Sequence, residues 1–191
     1  MQLTFPIRAL QVLLALAALS APGVLAQKVN VGYDKSVDFS RYKTYVLEQP
    51  STSPKWPILY ASVVGSINDE LQAKGLTRVD TGGDLMLIAR GAVGYNSDAG
   101  LSENPCPNCK APLVDAQEWT GQMAPPGGTG SVPLPNGFLQ LDFVDSASNK
   151  LVWSGRMKQQ LDPEKKEKSL EKVGPAIKKL LAGFPPQKAA K

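Results

Sequence analysis

The fold of this chain is decided by residues 137–157, which read GFLQLDFVDSASNKLVWSGRM. Apolar and polar side chains alternate through residues 138–144 and again through residues 150–161, a pattern that predicts two β-strands. The connecting residues 145–149 read DSASN and suit a hairpin turn. The apolar side chains share one face, so we expect an antiparallel sheet with one covered face and one face in water. The predicted covered positions are Leu139, Leu141, Phe143, Leu151, Trp153, Gly155, Met157 and Leu161.

Four further strands are predicted upstream of this hairpin. Alternating or β-branched and aromatic residues mark the segments 29–33, 42–47 and 76–79. The longest upstream strand is predicted at residues 85–95, where the odd-numbered positions are mostly apolar. With the hairpin, these segments predict a sheet of about six strands.

Two helical regions are predicted, one central and one near the C-terminus. From Pro57 the apolar spacing becomes helical, and Gly75 is a suitable residue to end that helix. A second helix is predicted to begin with Asp162 as its N-cap. Because Pro175 cannot donate to the carbonyl of Glu171, we expect a kink there or two short helices. The predicted apolar face of the first helix consists of Tyr60, Val64, Ile67 and Leu71.

The order of these elements predicts an α+β fold. We expect a two-layer sandwich, in which two helices pack on one face of a mainly antiparallel sheet of about six strands. The single domain is predicted to span residues 27–186, followed by a disordered tail at residues 187–191.

The first 26 residues resemble a secretory signal peptide. Arg8 gives a positive start, residues 9–19 read ALQVLLALAAL, and Val24 and Ala26 are small residues at the positions that a signal peptidase reads. We therefore expect cleavage after Ala26 and an exported chain that begins at Gln27, located in the bacterial periplasm or secreted. Neither cysteine lies near the cleavage point, so no lipid anchor is expected.

Composition excludes several classes of function. The chain has 191 residues, a formal net charge of +4 and no histidine, so Ser-His-Asp triads and histidine-ligated metal sites are excluded. No apolar run is long enough for a transmembrane helix in the exported chain. Residues 150–191 hold 11 of the 21 Lys and Arg but 4 of the 17 Asp and Glu. This weakly basic region could touch an anionic membrane surface, whereas export argues against nucleic acid as a partner.

Three stretches of the sequence resemble the bacterial exported family DUF4136, whose function is unknown. They are VNVGYDKSVDFSRYKTYVL at residues 29–47, GDLMLIARGAVGYN at residues 83–96, and the hairpin at residues 137–157. The Tyr-Asp…Asp-Phe-x-x-Tyr-x-Thr-Tyr opening and the late Leu-Val-Trp-x-Gly are the most specific parts. The resemblance implies a two-layer α+β domain of the cell envelope, often a lipoprotein, and it brings no established active site.

A Pro/Gly-rich insertion interrupts the predicted sheet at residues 97–136 and contains both cysteines, Cys106 and Cys109. An exported chain favours a local disulfide between them. A zinc site would need further ligands from a second chain or from carboxylates, and a redox centre would need a helix after the first thiolate, which Pro112 opposes. Lys110 stands where haem attachment needs histidine. The disulfide, zinc and redox interpretations all remain open, with the disulfide preferred.

Other conspicuous side chains have structural interpretations. Trp153 is predicted to lie in the core, and Trp56 to pack at the start of the first helix rather than to stack on a ligand. Asp142 and Asp145 are predicted to form cross-strand pairs with Arg156 and Lys158 on the exposed face, rather than a pair of catalytic carboxylates. We therefore predict no catalytic, cofactor-binding or metal-binding residues and no cofactor.

The function that the sequence favours is that of a non-catalytic exported protein of the cell envelope. It would act as a binding or structural module for a partner protein, glycan or surface that the sequence does not identify. The alternative is a periplasmic thiol-redox or zinc-binding protein that uses Cys106 and Cys109.

Overall fold

The computed structural model describes residues 28–94, 106, 120–121, 135–162 and 164–185. The predicted signal peptide, the tail at 187–191 and most of the insertion at 97–136 lie outside these residues. The described elements, in chain order, are β1 (Lys28–Tyr33), β2 (Thr44–Leu47), α1 (Pro57–Ala73), β3 (Thr77–Arg78), β4 (Leu85–Gly94), β5 (Thr120–Gly121), β6 (Asn136–Asp145), β7 (Lys150–Gln160), α2 (Lys166–Glu171) and α3 (Val173–Leu180). Two 3-10 turns lie at Phe39–Arg41 and Leu181–Gly183.

The strands form one sheet in the order β1-β7-β6-β4-β2-β3, and the short β5 pairs with β4 off this path. The pairs β1–β7, β7–β6 and β6–β4 are antiparallel. By contrast, β2 runs parallel to both β3 and β4, and β5 runs parallel to β4. The predictions of an α+β fold and of a mainly antiparallel sheet of six strands are therefore confirmed. The β2–β3 pair is parallel because helix α1 crosses between these two strands.

Helix residues and strand residues meet in one large apolar core. Phe143 of β6 stacks on Phe184, with ring centroids 4.1 Å apart, and Trp153 of β7 meets Phe184 edge-on at 5.3 Å. All three aromatic side chains are almost completely buried. The prediction that Trp153 belongs to the core is confirmed, whereas the part played by Phe184, beyond the last helix, was not predicted.

A glycine makes room for this tryptophan. The side chains of residues two apart on a strand point to the same face, so the indole of Trp153 lies over Gly155. A Cβ atom built on Gly155 would overlap the indole ring and would also meet Leu180. The Trp-x-Gly part of the sequence resemblance therefore has a packing reason.

A β-bulge near the hairpin changes which side chains of β7 share a face. Phe143 pairs with Trp153 but Val144 pairs with Leu151, so Val152 is the extra residue. As a result Val152 joins the large core, while Leu151 packs with Val144 in a separate cluster. The prediction that Leu151 shares a face with Trp153 is wrong, because strict alternation assumes a strand without bulges.

Helix α1 is present as predicted, with a slightly rotated buried face. Its fully buried residues are Val63, Ile67 and Leu71, whereas Val64 is only partly buried against the core. Gly75 follows the helix with a φ of +84°, the left-handed conformation expected of a glycine after a helix end.

The C-terminal helical region consists of two short helices, α2 and α3, as predicted. The break between the two helices lies at Lys172. Pro175 has no N–H group to donate to the carbonyl of Glu171, so one continuous helix cannot form there. The predicted start at Asp162 is wrong, since α2 begins four residues later at Lys166. Asp162 instead accepts a hydrogen bond from the Glu164 amide in a turn that precedes the helix.

Candidate functional site

The centre of the sheet face opposite the helices is buried, which contradicts the prediction of a face in water. Gln140, Asp142 and Ser154 are each only 1% exposed, although they alternate with the apolar residues that face the helices. Arg90 of β4 is also buried on this side. Buried polar groups need partners, and the pairing of these four residues follows from that requirement.

Asp142 forms a buried ion pair with Arg90 at the centre of this face. Arg90 Nη1 lies 2.8 Å from Asp142 Oδ2, and Ser154 Oγ donates to Asp142 Oδ1 at 2.5 Å. The Gln140 amide nitrogen donates to both carboxylate oxygens of Asp142. Burial raises the pKa of the Asp142 carboxyl above its ordinary value, and the guanidinium of Arg90 offsets part of that increase.

Asp145 forms a different cluster at the end of the same strand. Its carboxylate accepts hydrogen bonds from the Tyr42 hydroxyl at 2.8 Å and from both the amide and the hydroxyl of Ser148 at 2.7 Å. Arg41, whose side chain is 57% exposed, completes the cluster as its ion-pair partner. Burial alone would raise the pKa of Asp145, but these donors outweigh it and lower the pKa to about 2.

The predicted partners of these two aspartates are therefore wrong. Arg156 and Lys158 instead lie over the ring of Phe138, with Lys158 Nζ 5.3 Å from the ring centroid. The register explains this, because Arg156 pairs with Gln140 and Lys158 with Phe138, both far from the hairpin. The sequence analysis did not identify Arg90. The one available signal was that a charged residue lies within an otherwise apolar strand.

Cys106, in the Pro/Gly-rich insertion, packs against the sheet face opposite the helices, which we call the second face. It is partly buried, has a φ of +63°, and packs beside Met86, Ile88, Val144 and Leu151. Cys109 lies outside the described residues. The disulfide, zinc and redox interpretations of the pair therefore all stay predictions.

An open apolar cleft lies at the end of the sheet away from the β6–β7 hairpin. It has a volume of about 330 Å³ and lies between the first turn of α1, helix α2 and the ends of β4 and β7. Ile58 at its mouth is 72% exposed, the most exposed of the large apolar side chains that the structure describes. The lining residues are Lys55, Trp56, Pro57, Ile58, Leu59, Val93, Leu161, Asp162, Ser169 and Leu170.

A second, smaller space of about 70 Å³ adjoins the cleft and is lined in part by helix α3. Four residues line both spaces, namely Trp56, Leu59, Val93 and Leu161. Trp56 holds the start of α1, where its carbonyl accepts a hydrogen bond from the Tyr60 amide at 2.9 Å. Trp56 also lines the cleft. It therefore occupies its predicted place at the start of the helix and can contact a ligand from there.

Positive charge predominates around the cleft. Asp162 is paired with Lys165, whose Nζ lies 3.1 Å from the carboxylate. Lys55, at the opposite rim, has no ion-pair partner among the residues that the structure describes. No side chain caps the first turn of α1, which leaves the positive end of the helix dipole beside the cleft.

Within the described part of the chain, no three His, Cys, Asp or Glu residues are grouped so that they could hold a metal ion. None of the helices described is long and apolar enough to cross a membrane.

Comparison with known proteins identifies the domain. The family model of DUF4136, a domain of unknown function, matches residues 29–186, which confirms the resemblance carried by the three sequence stretches. No curated protein matches the chain.

The chain also superposes on solved structures, among them the following two. A PDZ domain protein from Parabacteroides distasonis superposes with a TM-score of 0.53 at 16% identity, covering 86% of this chain and 36% of that one. This chain thus spans only about a third of the length of that protein, and the likeness is one of fold alone. A PelC dodecamer from Paraburkholderia phytofirmans superposes with a TM-score of 0.47 at 14% identity, covering 85% of this chain and 100% of that one.

Proposed function

This chain belongs to the DUF4136 family, and from that premise we propose that it is a non-catalytic, exported binding module of the cell envelope. The observation that carries this proposal is the open apolar cleft beside the start of helix α1. Its volume lies at the lower end of the range of about 300–1,000 Å³ that is usual for small-molecule sites.

The composition of the cleft supports a binding role. An exposed large apolar side chain such as Ile58 costs solubility, and such residues gathered around a concavity are typical of binding sites. Trp56 offers an apolar ring at the same place, and aromatic side chains are common in ligand sites. The cleft would therefore take an apolar ligand, or the apolar part of a larger one.

The ionisable side chains also favour binding over catalysis. A general acid or base must reach the reacting group of a substrate. Asp142 and Arg90 are buried and are engaged with each other, and Asp145 is held by four hydrogen-bonding groups. These interactions stabilise a fold and leave the carboxylates occupied.

The proposal also includes export of the chain and a two-layer arrangement of helices on the sheet. The apolar stretch at residues 9–19 and the small residues around Ala26 support cleavage before Gln27 and a location in the periplasm or outside the cell. The shared core of helix and strand residues supports the two-layer sandwich. N-terminal sequencing of the soluble exported form should find Gln27, and a chain that still begins at Met1 would contradict export.

Binding in the cleft is tested with a neutral dye whose fluorescence rises in apolar surroundings, N-phenyl-naphthylamine. The mature protein should bind it, and Ile58→Glu should abolish binding by placing a carboxylate at the mouth of the cleft. The substitution should not harm the fold, because a glutamate in the first turn of a helix is favourable. Ala61→Glu is the matched control, since Ala61 is exposed on the same helix outside the cleft.

Two results would contradict the proposed cleft. The mature protein would show no dye signal, or Ala61→Glu would reduce the signal as much as Ile58→Glu does. The thiol alternative is less well supported, because Cys106 packs among the apolar side chains of Met86, Ile88, Val144 and Leu151.

A further inference from the structure

Building on the proposed function, we infer that the natural occupant of the cleft is a long-chain carboxylate, that is, a single-chain anionic amphiphile. The inference rests on the combination of an apolar cavity with one unpaired ammonium group at its rim. It names the chemical class of ligand that the proposed binding module would take.

The apolar part of the ligand is indicated by the depth of the site. The cleft and the smaller space beside it share Trp56, Leu59, Val93 and Leu161, so the apolar lining continues from one into the other. The adjoining space is smaller, about 70 Å³. A flexible unbranched chain can extend from the cleft into this smaller space, whereas a bulky rigid ring system would fill only the cleft.

The charged part of the ligand is indicated by the rim. Two ionisable residues line the cleft, and because Asp162 is paired with Lys165 the unpaired charge at the rim is that of Lys55. An ammonium beside an apolar cavity attracts an anion and repels a cation. One unpaired lysine matches a singly charged carboxylate better than a doubly charged phosphate.

The position of Lys55 allows both contacts at once. Lys55 directly precedes Trp56, which lines both spaces, so head group and chain would bind to neighbouring parts of the protein. A carboxylate here would remain at the mouth, where it keeps water on its outer side. The ligand would thus bury its chain without the cost of burying its charge.

The test is a calorimetric titration of the purified mature protein with three probes of equal chain length, each below its micellar concentration. Dodecanoate should bind about fivefold more tightly than dodecanol, because a partly exposed ion pair contributes about that factor. Dodecylammonium should bind most weakly. Shortening the carboxylate should weaken binding about fourfold for each methylene that the cleft buries.

Substitutions locate the effect. Lys55→Gln should abolish the preference for dodecanoate over dodecanol while leaving the binding of dodecanol unchanged. Lys35→Gln, an exposed lysine in the turn after β1 at the opposite end of the sheet, removes the same charge and should change neither. Ile58→Glu should abolish the binding of dodecanol and dodecanoate, because it places a carboxylate at the mouth of the apolar cleft.

The outcomes separate the two proposals. Equal binding of dodecanol and dodecanoate, or an unchanged preference in Lys55→Gln, would overturn the carboxylate inference and leave the apolar binding site standing. No binding of any probe would overturn both. If the protein instead forms dimers that Ile58→Glu dissociates, and binds no probe, the occupant is a second copy of the chain and the inference fails.

Discussion

The two faces of the central hairpin are equally buried but chemically opposite. On the face toward the helices, Leu141 and Phe143 of β6 pack into an aromatic and aliphatic core. On the other face, Gln140 and Asp142 of the same strand are just as inaccessible, yet they carry an ion pair and hydrogen bonds. The difference teaches that alternation along a strand reports which side chains share a face, but not whether the polar face meets water.

The two aspartates of β6 also differ in their chemical surroundings. Both are buried and both have an arginine partner, but the pKa of Asp142 is raised and that of Asp145 is lowered. Asp142 and Arg90 are both withdrawn from water, so desolvation dominates. Asp145 lies at the strand end, where Ser148 and Tyr42 donate to it and Arg41 remains largely in water.

The largest expected effect is on the helix-facing side, with Trp153→Ala. Removing this buried ring should lower the free energy of unfolding by about 3–5 kcal/mol, because the cavity left beside the stacked rings of Phe143 and Phe184 cannot close completely. Urea denaturation measures the loss. Tyr33→Ala is the control, since Tyr33 is an aromatic residue that is 39% exposed, and it should cost about 1 kcal/mol or less. A comparable loss in both variants would mean that Trp153 is not a core residue.

The next largest effect is expected on the opposite face, with Arg90→Met. It leaves the Asp142 carboxylate buried without its ion-pair partner and should cost about 3 kcal/mol. The double substitution Arg90→Met with Asp142→Leu should recover only part of this loss, because it removes the unpaired carboxylate but leaves the buried Gln140 amide and Ser154 hydroxyl without their acceptor. Denaturation of both variants gives the two values. If the double variant is no more stable than the single one, the Arg90–Asp142 ion pair stabilises the fold by more than the cost of burying its two charges.

The third prediction concerns Asp145 and pH. Its folded-state pKa of about 2 lies below the value of about 3.9 in unfolded chains, so its ionised form stabilises the fold. This contribution, about 2 kcal/mol, is present above pH 4 and is lost as the pH falls toward 2. Asp145→Asn should therefore be less stable than the wild type at pH 6 and nearly equal to it at pH 2.

Thermal or urea denaturation across this pH range checks that prediction. Asp69→Asn, at an exposed position of helix α1, is the control and should differ little from the wild type at any pH. A constant gap between Asp145→Asn and the wild type from pH 6 to pH 2 would show that the loss comes from packing rather than from ionisation.

The smallest effect is expected where the insertion meets the second face, with Cys106→Ser and Cys109→Ser combined. If the two form a local disulfide, its small ring restricts the unfolded chain by at most about 2 kcal/mol, and the sheet should stay folded. Thiol titration of the unfolded wild type should find no free thiol before reduction. Insulin-reductase activity that disappears in Cys106→Ser alone would instead support the redox alternative.

Much of the fold could be predicted because its signals are local. The alternation in residues 137–157 and the turn at 145–149 were sufficient for the hairpin, and the helical spacing after Pro57 was sufficient for α1. Pro175 was sufficient to predict a kink or two short helices, since a proline beyond the first turn of a helix removes a backbone hydrogen bond. These features depend on residues close together in the chain.

The errors have a common physical origin. The bulge at Val152 depends on how β7 matches β6, and the partner of Asp142 is Arg90 on a strand that lies about 50 residues earlier. The sequence offered nearer cations in Arg156 and Lys158, but the register places them beside Phe138. The cleft was not predicted either, because its walls come from four separate elements.

The sequence by itself therefore determined the family, the α+β class, the order of the strands and helices along the chain, and the absence of histidine chemistry. Periodicity, glycine and proline act over a few residues, so these properties need no knowledge of distant contacts. Only the tertiary structure decided that the polar face is buried, that Arg90 pairs with Asp142, and that Trp56 and Lys55 border an apolar cleft. Burial and ion pairing are set by which distant segments pack together, and that information lies in the register of the strands and the positions of the helices.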